Sequence, residues 1–124
     1  MQVTGTIEFN ITEQSAEQVT ADMPVRAGIM NPFGIVHAGA MLWFADVTAT
    51  VLVMGHTQPS EGMKGFPLAI SLNAHFLGNL REGSLRAVAK YVKRGRSVSV
   101  VRTAVTDPSG KVLAEVTTSH VLAQ

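Results

Sequence analysis

Asp46 is the only ionisable side chain between His37 and His56, in a stretch that reads HAGAMLWFADVTATVLVMGH. The four residues on either side of it, Leu42 to Ala45 and Val47 to Thr50, carry no charge. An ionised carboxylate in such surroundings is expensive to bury unless it is paired, protonated or used in chemistry. The chemistry open to a lone acid is nucleophilic attack or proton abstraction. His37 lies nine residues before it. At about 1.5 Å of rise per residue the two stand roughly 13 Å apart along a helix axis and cannot share a substrate atom within one chain. Two such helices packed antiparallel across a twofold axis would bring each Asp46 to the other's helix start. There the free N–H groups near Ala38 and Gly39, helped by the helix dipole, can hold a developing oxyanion while the carboxylate attacks or activates water.

The elements that must position these groups are legible from periodicity and turn chemistry. Val3–Ile11 and Gln18–Val25 alternate and contain β-branched residues, which predicts two strands separated by the polar turn Thr12–Glu17. Asn31-Pro32-Phe33-Gly34 is a turn, and a helix follows from about Ala38 to His56, stopped by Gly55. Thr57–Gly65 is a loop rich in Gly, Pro and Ser. Four further strands are expected at Pro67–Leu77, Ser84–Lys93, Ser97–Thr106 and Lys111–Leu122, arranged as an antiparallel meander. Arg94-Gly95-Arg96 reads as a hairpin tip and Asp107-Pro108-Ser109-Gly110 as a strong turn. A helix apolar on all sides needs cover on most of them. A curved sheet covers one flank, and a second subunit is expected on the other.

The bulk composition points the same way. At 124 residues the chain is expected to form one domain, residues 1–124, with a real core. Charged residues make up 15%, against roughly 25% in an ordinary soluble domain, so part of the surface is expected to be hidden against copies of the same chain. A net charge of +1 gives no argument for nucleic acid. The absence of cysteine removes disulfides, thiolate catalysis and cysteine-type zinc sites. No basic segment followed by an apolar run opens the chain, so a cytoplasmic location is expected. Ala38–Gly55 is the one candidate membrane span, and an acid near its middle argues for a core helix instead.

The pattern Asn31-x-x-Gly34-x-x-His37-Ala38-Gly39, with Asp46 following, resembles the hotdog-fold acyl-CoA thioesterases. Within them it is most similar to the phenylacetate-degradation and 4-hydroxybenzoyl-CoA thioesterase branch. The segment Ser71–Gly83 and the hairpin Val92–Arg96 add to the likeness, as does the order of elements. The resemblance implies an α+β hotdog fold in which a curved antiparallel sheet wraps one long helix. It implies an acyl-CoA thioesterase with Asp46 as nucleophile or general base and the amide at Ala38 as oxyanion donor, with Gly39 beside it. Asn31 and His37 would then orient the thioester or the catalytic water. The family's habit of pairing dimers implies a homotetramer. Family members usually carry Gly where this chain has Ala38, and alanine keeps the N–H provided its φ is negative.

Each of these residues also has a plainer role open to it. Asp46 can be a structural acid near Thr50, His37 a residue bonding backbone before the helix, and Asn31 a turn residue. Lys93, Arg94 and Arg96 form a basic cluster that is either a solvated turn or a contact for the phosphates of coenzyme A. His56 complements the helix dipole, and His75 and His120 lie on strands without an identifiable partner. Met30, Met41, Met54 and Met63 suit a core or an acyl pocket. No metal site and no bound organic cofactor is expected, since a thioester is already activated and the protein need supply positioning and charge. A non-catalytic acyl-CoA or fatty-acyl binding protein is the alternative to hydrolysis. A dehydratase is disfavoured, because His37 follows Pro32 by five residues and no acid precedes Asn31 in the turn.

Overall fold

A computed structural model of the chain describes residues 1–56, 60–62 and 64–122. Among them the order of elements is β1 (Asn10–Gln14), β2 (Gln18–Pro24), a 3-10 turn at Ala27–Ile29, α1 (Ala38–Met54), β3 (Pro67–Phe76), β4 (Ser84–Lys93), β5 (Ser99–Thr106) and β6 (Val112–Leu122). The strands form one sheet in the order β1-β2-β4-β5-β6-β3, antiparallel at every pairing.

The helix dominates the packing. Over its 17 residues α1 meets no proline or interior breaker, and it stops where Gly55 takes φ 72° and donates its N–H to Val51 O at 3.0 Å. Its buried residues Met41, Phe44, Ala45, Thr48, Ala49 and Leu52 fall at the i, i+3, i+4, i+7 spacing of one helix face. That face lies on a sheet surface of Met23, Leu85, Val105, Leu113 and Val116 interspersed with Ala21, Ala87 and Ala114. The alanines keep the sheet low beneath the helix axis and leave room for the fully buried Phe44 ring. Phe9 meets both Phe44 and Trp43 edge-on at 4.9 and 5.0 Å. The helix touches β2, β3, β4, β5 and β6. A rod about 10 Å across that reaches five strands spaced about 4.8 Å apart needs a sheet that curls around it. This is the α+β hotdog arrangement.

The structure moves several sequence boundaries. The helix ends at Met54 instead of His56, β5 begins at Ser99 instead of Ser97, and β6 begins at Val112 instead of Lys111. The first strand is Asn10–Gln14, so most of Val3–Ile11 is not strand and half of the expected turn Thr12–Glu17 is. Ile7 and Phe9 keep the alternating pattern but pack on the core beside the helix, while the ladder with β2 starts only at Asn10↔Asp22. The turn tightens to Ser15–Glu17, where Ser15 Oγ accepts from the N–H of Glu17 and of Gln18. The expected meander holds for β4, β5 and β6 alone, since β3 pairs with β6 at the far edge. Of the loop Thr57–Gly65, residues 57–59 and Met63 lie outside the described residues.

As an edge strand β3 exposes Leu68, Ile70 and Leu72 by 47, 55 and 44%, an apolar row with unpaired backbone on one side. Trp43 on α1 is 40% exposed. The core makes a direct stability prediction. Truncating the fully buried ring in Phe44→Ala is expected to cost about 3–5 kcal/mol, read as a lowered urea midpoint with an unchanged slope.

Candidate active site

The start of α1 is held by a compact set of turns. Asn31 Oδ1 accepts from the N–H of Phe33 at 2.9 Å and of Ile35 at 3.3 Å. Gly34 takes φ 79° and donates its N–H to Asn31 O. The Asn31 carbonyl amide oxygen is therefore occupied in shaping its own turn. His37 stands at the N-cap with φ −58° and ψ 135°, makes no side-chain cap bond and is exposed. Its backbone N–H donates to Ile29 O at 2.9 Å. The N–H groups of Ala38 and Gly39 have no acceptor among the described residues, and both residues are exposed. Ala38 lies in helical conformation with no positive φ, so its N–H points out of the helix start with the other first-turn amides.

A residue that the sequence pattern did not single out fixes this assembly to the sheet. Asn79, in the connection from β3 to β4, accepts from Val36 N–H at 2.8 Å and donates to Val36 O at 3.0 Å. Its Oδ1 also accepts from Leu80 N–H at 2.7 Å. Val36 is 1% exposed, so the side chain of Asn79 supplies both of its buried backbone groups in the manner of a strand partner. An asparagine inside a Gly-Asn-Leu loop carries no local signal of a contact 43 residues away.

Asp46 lies elsewhere. It is half-buried, its Oδ1 is out of solvent without a hydrogen-bond partner among the described residues, and it opens onto a cavity of about 590 Å³. Among the described residues, Val47, Thr50, Val51, Met54, Ser60, Gly62, Phe66 and Pro67 also line it. Asn31, His37, Ala38 and Gly39 do not line this cavity. One chain thus contains the two halves of the site expected from its sequence and does not bring them together.

The basic cluster divides. Arg94 stacks over the Tyr91 ring at 5.3 Å. Arg94 and Arg96 line a small cavity of about 130 Å³ with Val53, Ser99 and His120. Lys93 is exposed at the end of β4. His120, which the sequence left without a partner, is buried with Nε2 2.7 Å from Thr118 Oγ1. Burial pushes its imidazole below the ordinary value near 6.5, and the negative charge of Asp46 pulls the other way. The methionines part company too, with Met41 in the core and Met54 at the apolar cavity. Among the described residues no three His, Asp or Glu side chains are grouped closely enough to hold a metal ion, and no helix is long and apolar enough to cross a membrane.

Comparison with known proteins bears on what such halves do. The profile of the thioesterase superfamily matches residues 33–114. A putative esterase of Bacillus subtilis is 30% identical over 85% of this chain and 81% of its own length. A 1,4-dihydroxy-2-naphthoyl-CoA hydrolase of Listeria monocytogenes is 25% identical over 87% of this chain and 85% of its own. The crystal structure of a thioesterase from Staphylococcus aureus superposes with a TM-score of 0.85 at 21% identity, covering 94% of this chain and 93% of that one; that likeness carries the fold. The matches identify the family and not the phenylacetate branch within it.

Asn79→Ala leaves the N–H and C=O of Val36 buried and unpaired. The expected loss is about 1–3 kcal/mol in denaturant unfolding, with turnover falling further than the folded fraction because the helix start loses its tether.

Proposed function

The chain belongs to the thioesterase superfamily and is a thioester hydrolase; from that premise we propose that its substrate is an acyl-CoA bound between two copies of the protein. The observation that carries this reading is the division within one chain. The carboxylate of Asp46, whose Oδ1 has no partner among the described residues, opens on an apolar cavity, while the amides of Ala38 and Gly39, also without an acceptor there, sit exposed roughly 12 Å away along the same helix. An antiparallel copy of α1, related by a twofold axis, places each carboxylate opposite the other copy's amides. The apolar row on β3 and the exposed Trp43 supply the surface such a contact buries. The resulting homodimer is the unit of the site, and the family resemblance pairs two such dimers in a tetramer.

In this arrangement the acyl group occupies the cavity lined by Val47, Val51, Met54, Phe66 and Pro67. Its volume falls within the roughly 300–1,000 Å³ of small-molecule sites, which suits an aryl or medium-length acyl chain. A relative named for an aromatic acyl-CoA supports the CoA thioester. The thioester oxygen accepts from the Ala38 N–H, with Gly39 and the helix dipole adding to the field that meets the oxyanion. Asp46 adds to the carbonyl carbon directly, or deprotonates the water that does. The C–S bond then breaks and the thiolate of coenzyme A leaves with a proton; on the direct route water then adds to the acyl anhydride at Asp46, the acyl C–O bond to Asp46 breaks, and the carboxylate is regenerated. Water and thioester are consumed, and a carboxylic acid and free thiol are formed. His37 and Asn31 Nδ2 flank the amide end and orient the thioester or the water. No cofactor enters this chemistry. Arg94 and Arg96, with Lys93 beside them, receive the phosphates of coenzyme A, for which guanidinium groups have the geometry.

Two measurements test the two parts of this reading. Ala38→Pro removes the proposed oxyanion donor at the first helical position, where proline fits, after a His37 whose ψ of 135° already suits a residue preceding proline. Ala38→Pro and Asp46→Asn homo-oligomers are each expected to lose at least about a hundredfold in kcat. Subunits of the two exchanged together form hybrid dimers with one intact site, restoring about a quarter of wild-type turnover. No recovery in the mixture places both groups in one chain's site and removes the shared-site mechanism. For the basic hairpin, Arg94→Ala with Arg96→Ala is expected to raise KM for an acyl-CoA by about tenfold or more with kcat little changed. KM for the matching N-acetylcysteamine thioester, which has no phosphate, stays the same; an equal rise for both thioesters removes the phosphate role.

A further inference from the structure

The turn that opens α1 carries an aromatic ring that its own chain leaves uncovered. Phe33 is 80% exposed. Among the described residues it belongs to neither cluster of the core and to no aromatic pair. A single exposed apolar side chain is ordinary on a protein surface, but this one stands on a fixed backbone. Phe33 donates its N–H to Asn31 Oδ1 at 2.9 Å, and Asn31 donates its own to Ile35 O at 2.8 Å. Proline at position 32 fixes φ before the ring, and Gly34 takes φ 79° after it. A Cβ built on Gly34 would lie 3.3 Å from Arg81 Nη1, so a guanidinium braces the turn from the connection between β3 and β4. Met30 and Val36 pair as a bridge, which keeps the ring at the tip of a short loop beside the helix start.

The cavity at Asp46 has the converse shape. Val47, Thr50, Val51 and Met54 line it from the helix and are all half-buried, so it opens on the flank of α1 that the sheet does not cover. In the antiparallel dimer proposed above, Ala38 of one copy stands opposite Asp46 of the other. Both helices rise by the same length per residue. The residues just before one Ala38 therefore fall opposite those just after the other Asp46, which are Val47, Thr50 and Val51. Phe33 lies in that run. The twofold that joins carboxylate and amides also sets an exposed ring against an open apolar cavity.

We propose that Phe33 determines acyl specificity across the subunit boundary: the partner's Phe33 closes the open side of the acyl cavity and limits the chain length it accepts. This rests on the reading of the site as shared between two copies. A second copy is the occupant because the surface around the ring is continuous with the proposed contact, where Trp43 and the row on β3 are also exposed. An acyl chain short enough to lie beneath the ring is covered by Met54, Phe66 and Pro67 from one copy and by the ring from the other. A longer chain meets the ring. The turn that aims the amides at the thioester thus also shapes the space for the group next to it.

The test is selectivity between hexanoyl-CoA and dodecanoyl-CoA, read as the ratio of their kcat/KM values. Such a ratio is independent of the fraction of enzyme that is folded or paired. Phe33→Ala is expected to move it toward dodecanoyl-CoA by about tenfold or more, the effect of a methylene or two at an apolar wall. Phe33→Trp is expected to move it the other way. An unchanged ratio in Phe33→Ala overturns the proposal. Hybrid dimers then show which copy supplies the ring. In a hybrid of Ala38→Pro and Asp46→Asn chains, the one working site takes Asp46 from the first and its amides from the second. Adding Phe33→Ala to the Asp46→Asn chain is expected to shift the hybrid's ratio, and adding it to the Ala38→Pro chain to leave the ratio at its wild-type value. A shift from the Ala38→Pro chain, or from neither, overturns the proposal alone. A hybrid without turnover before any change at Phe33 overturns the shared site and the proposal with it.

Discussion

A helix that is apolar on every side has to be covered on every side, and this constraint shapes the whole chain. The curled sheet covers one flank of α1, and it can do so closely because Ala21, Ala87 and Ala114 lie where the helix approaches. Phe44 then fills the space that three methyl groups leave open. The opposite flank has no such cover. It ends in the cavity at Asp46, beside the edge strand β3 with its row of half-exposed leucine and isoleucine. Burying both together is worth far more than burying either, since apolar burial contributes roughly 25 cal/mol per Å². In the proposed dimer, the contact that covers this flank is also the one that brings Asp46 to the other copy's helix start.

Sequence reading recovered what local chemistry determines. Period-two alternation located β2, β4, β5 and β6 to within about two residues because each has one buried and one open face, while β3, exposed along nearly its whole length, was legible from the alternation of residue types alone. The glycine at position 55 and the Pro32–Gly34 turn marked the ends of α1 for reasons internal to those residues. What was lost depends on partners remote in sequence. Ile7 and Phe9 alternate as a strand would, yet their hydrophobic side chains meet the helix before the ladder with β2 begins. The place of β3 next to β6 comes from closing the sheet around α1, and no property of Pro67–Phe76 encodes which edge it joins.

The candidate site divides along the same line. Asp46, His37, Asn31 and the Ala38–Gly39 amides were visible because the turn and the lone acid are local features. Asn79 and His120 were not, because an asparagine in a loop and a histidine on a strand acquire meaning only from Val36 and Thr118 across the fold. Asn79 shows how strict the requirement is. One side-chain amide, accepting one hydrogen bond and donating another, holds the buried Val36 of the turn that aims the helix start. Electrostatics makes that aim matter, since the field of a helix terminus falls away within its first turn.

Gly39 carries the reasoning one step further. A Cβ placed on it would meet, among the described residues, no atom within 4 Å beyond its chain neighbours and its own helix backbone, and its φ is not positive. Nothing inside the monomer therefore asks for glycine, although glycine in a helix costs about 1 kcal/mol relative to alanine. Ala38, the residue before it, shows that a methyl group is tolerated at the first helical position. If the bare backbone at position 39 serves an approach, that approach comes from outside the chain, where the substrate or the partner's helix must come close to the amides. On the proposed reading the helix start is a surface finished by what binds to it, and Asp46, whose Oδ1 has no partner among the described residues, has the complementary defect.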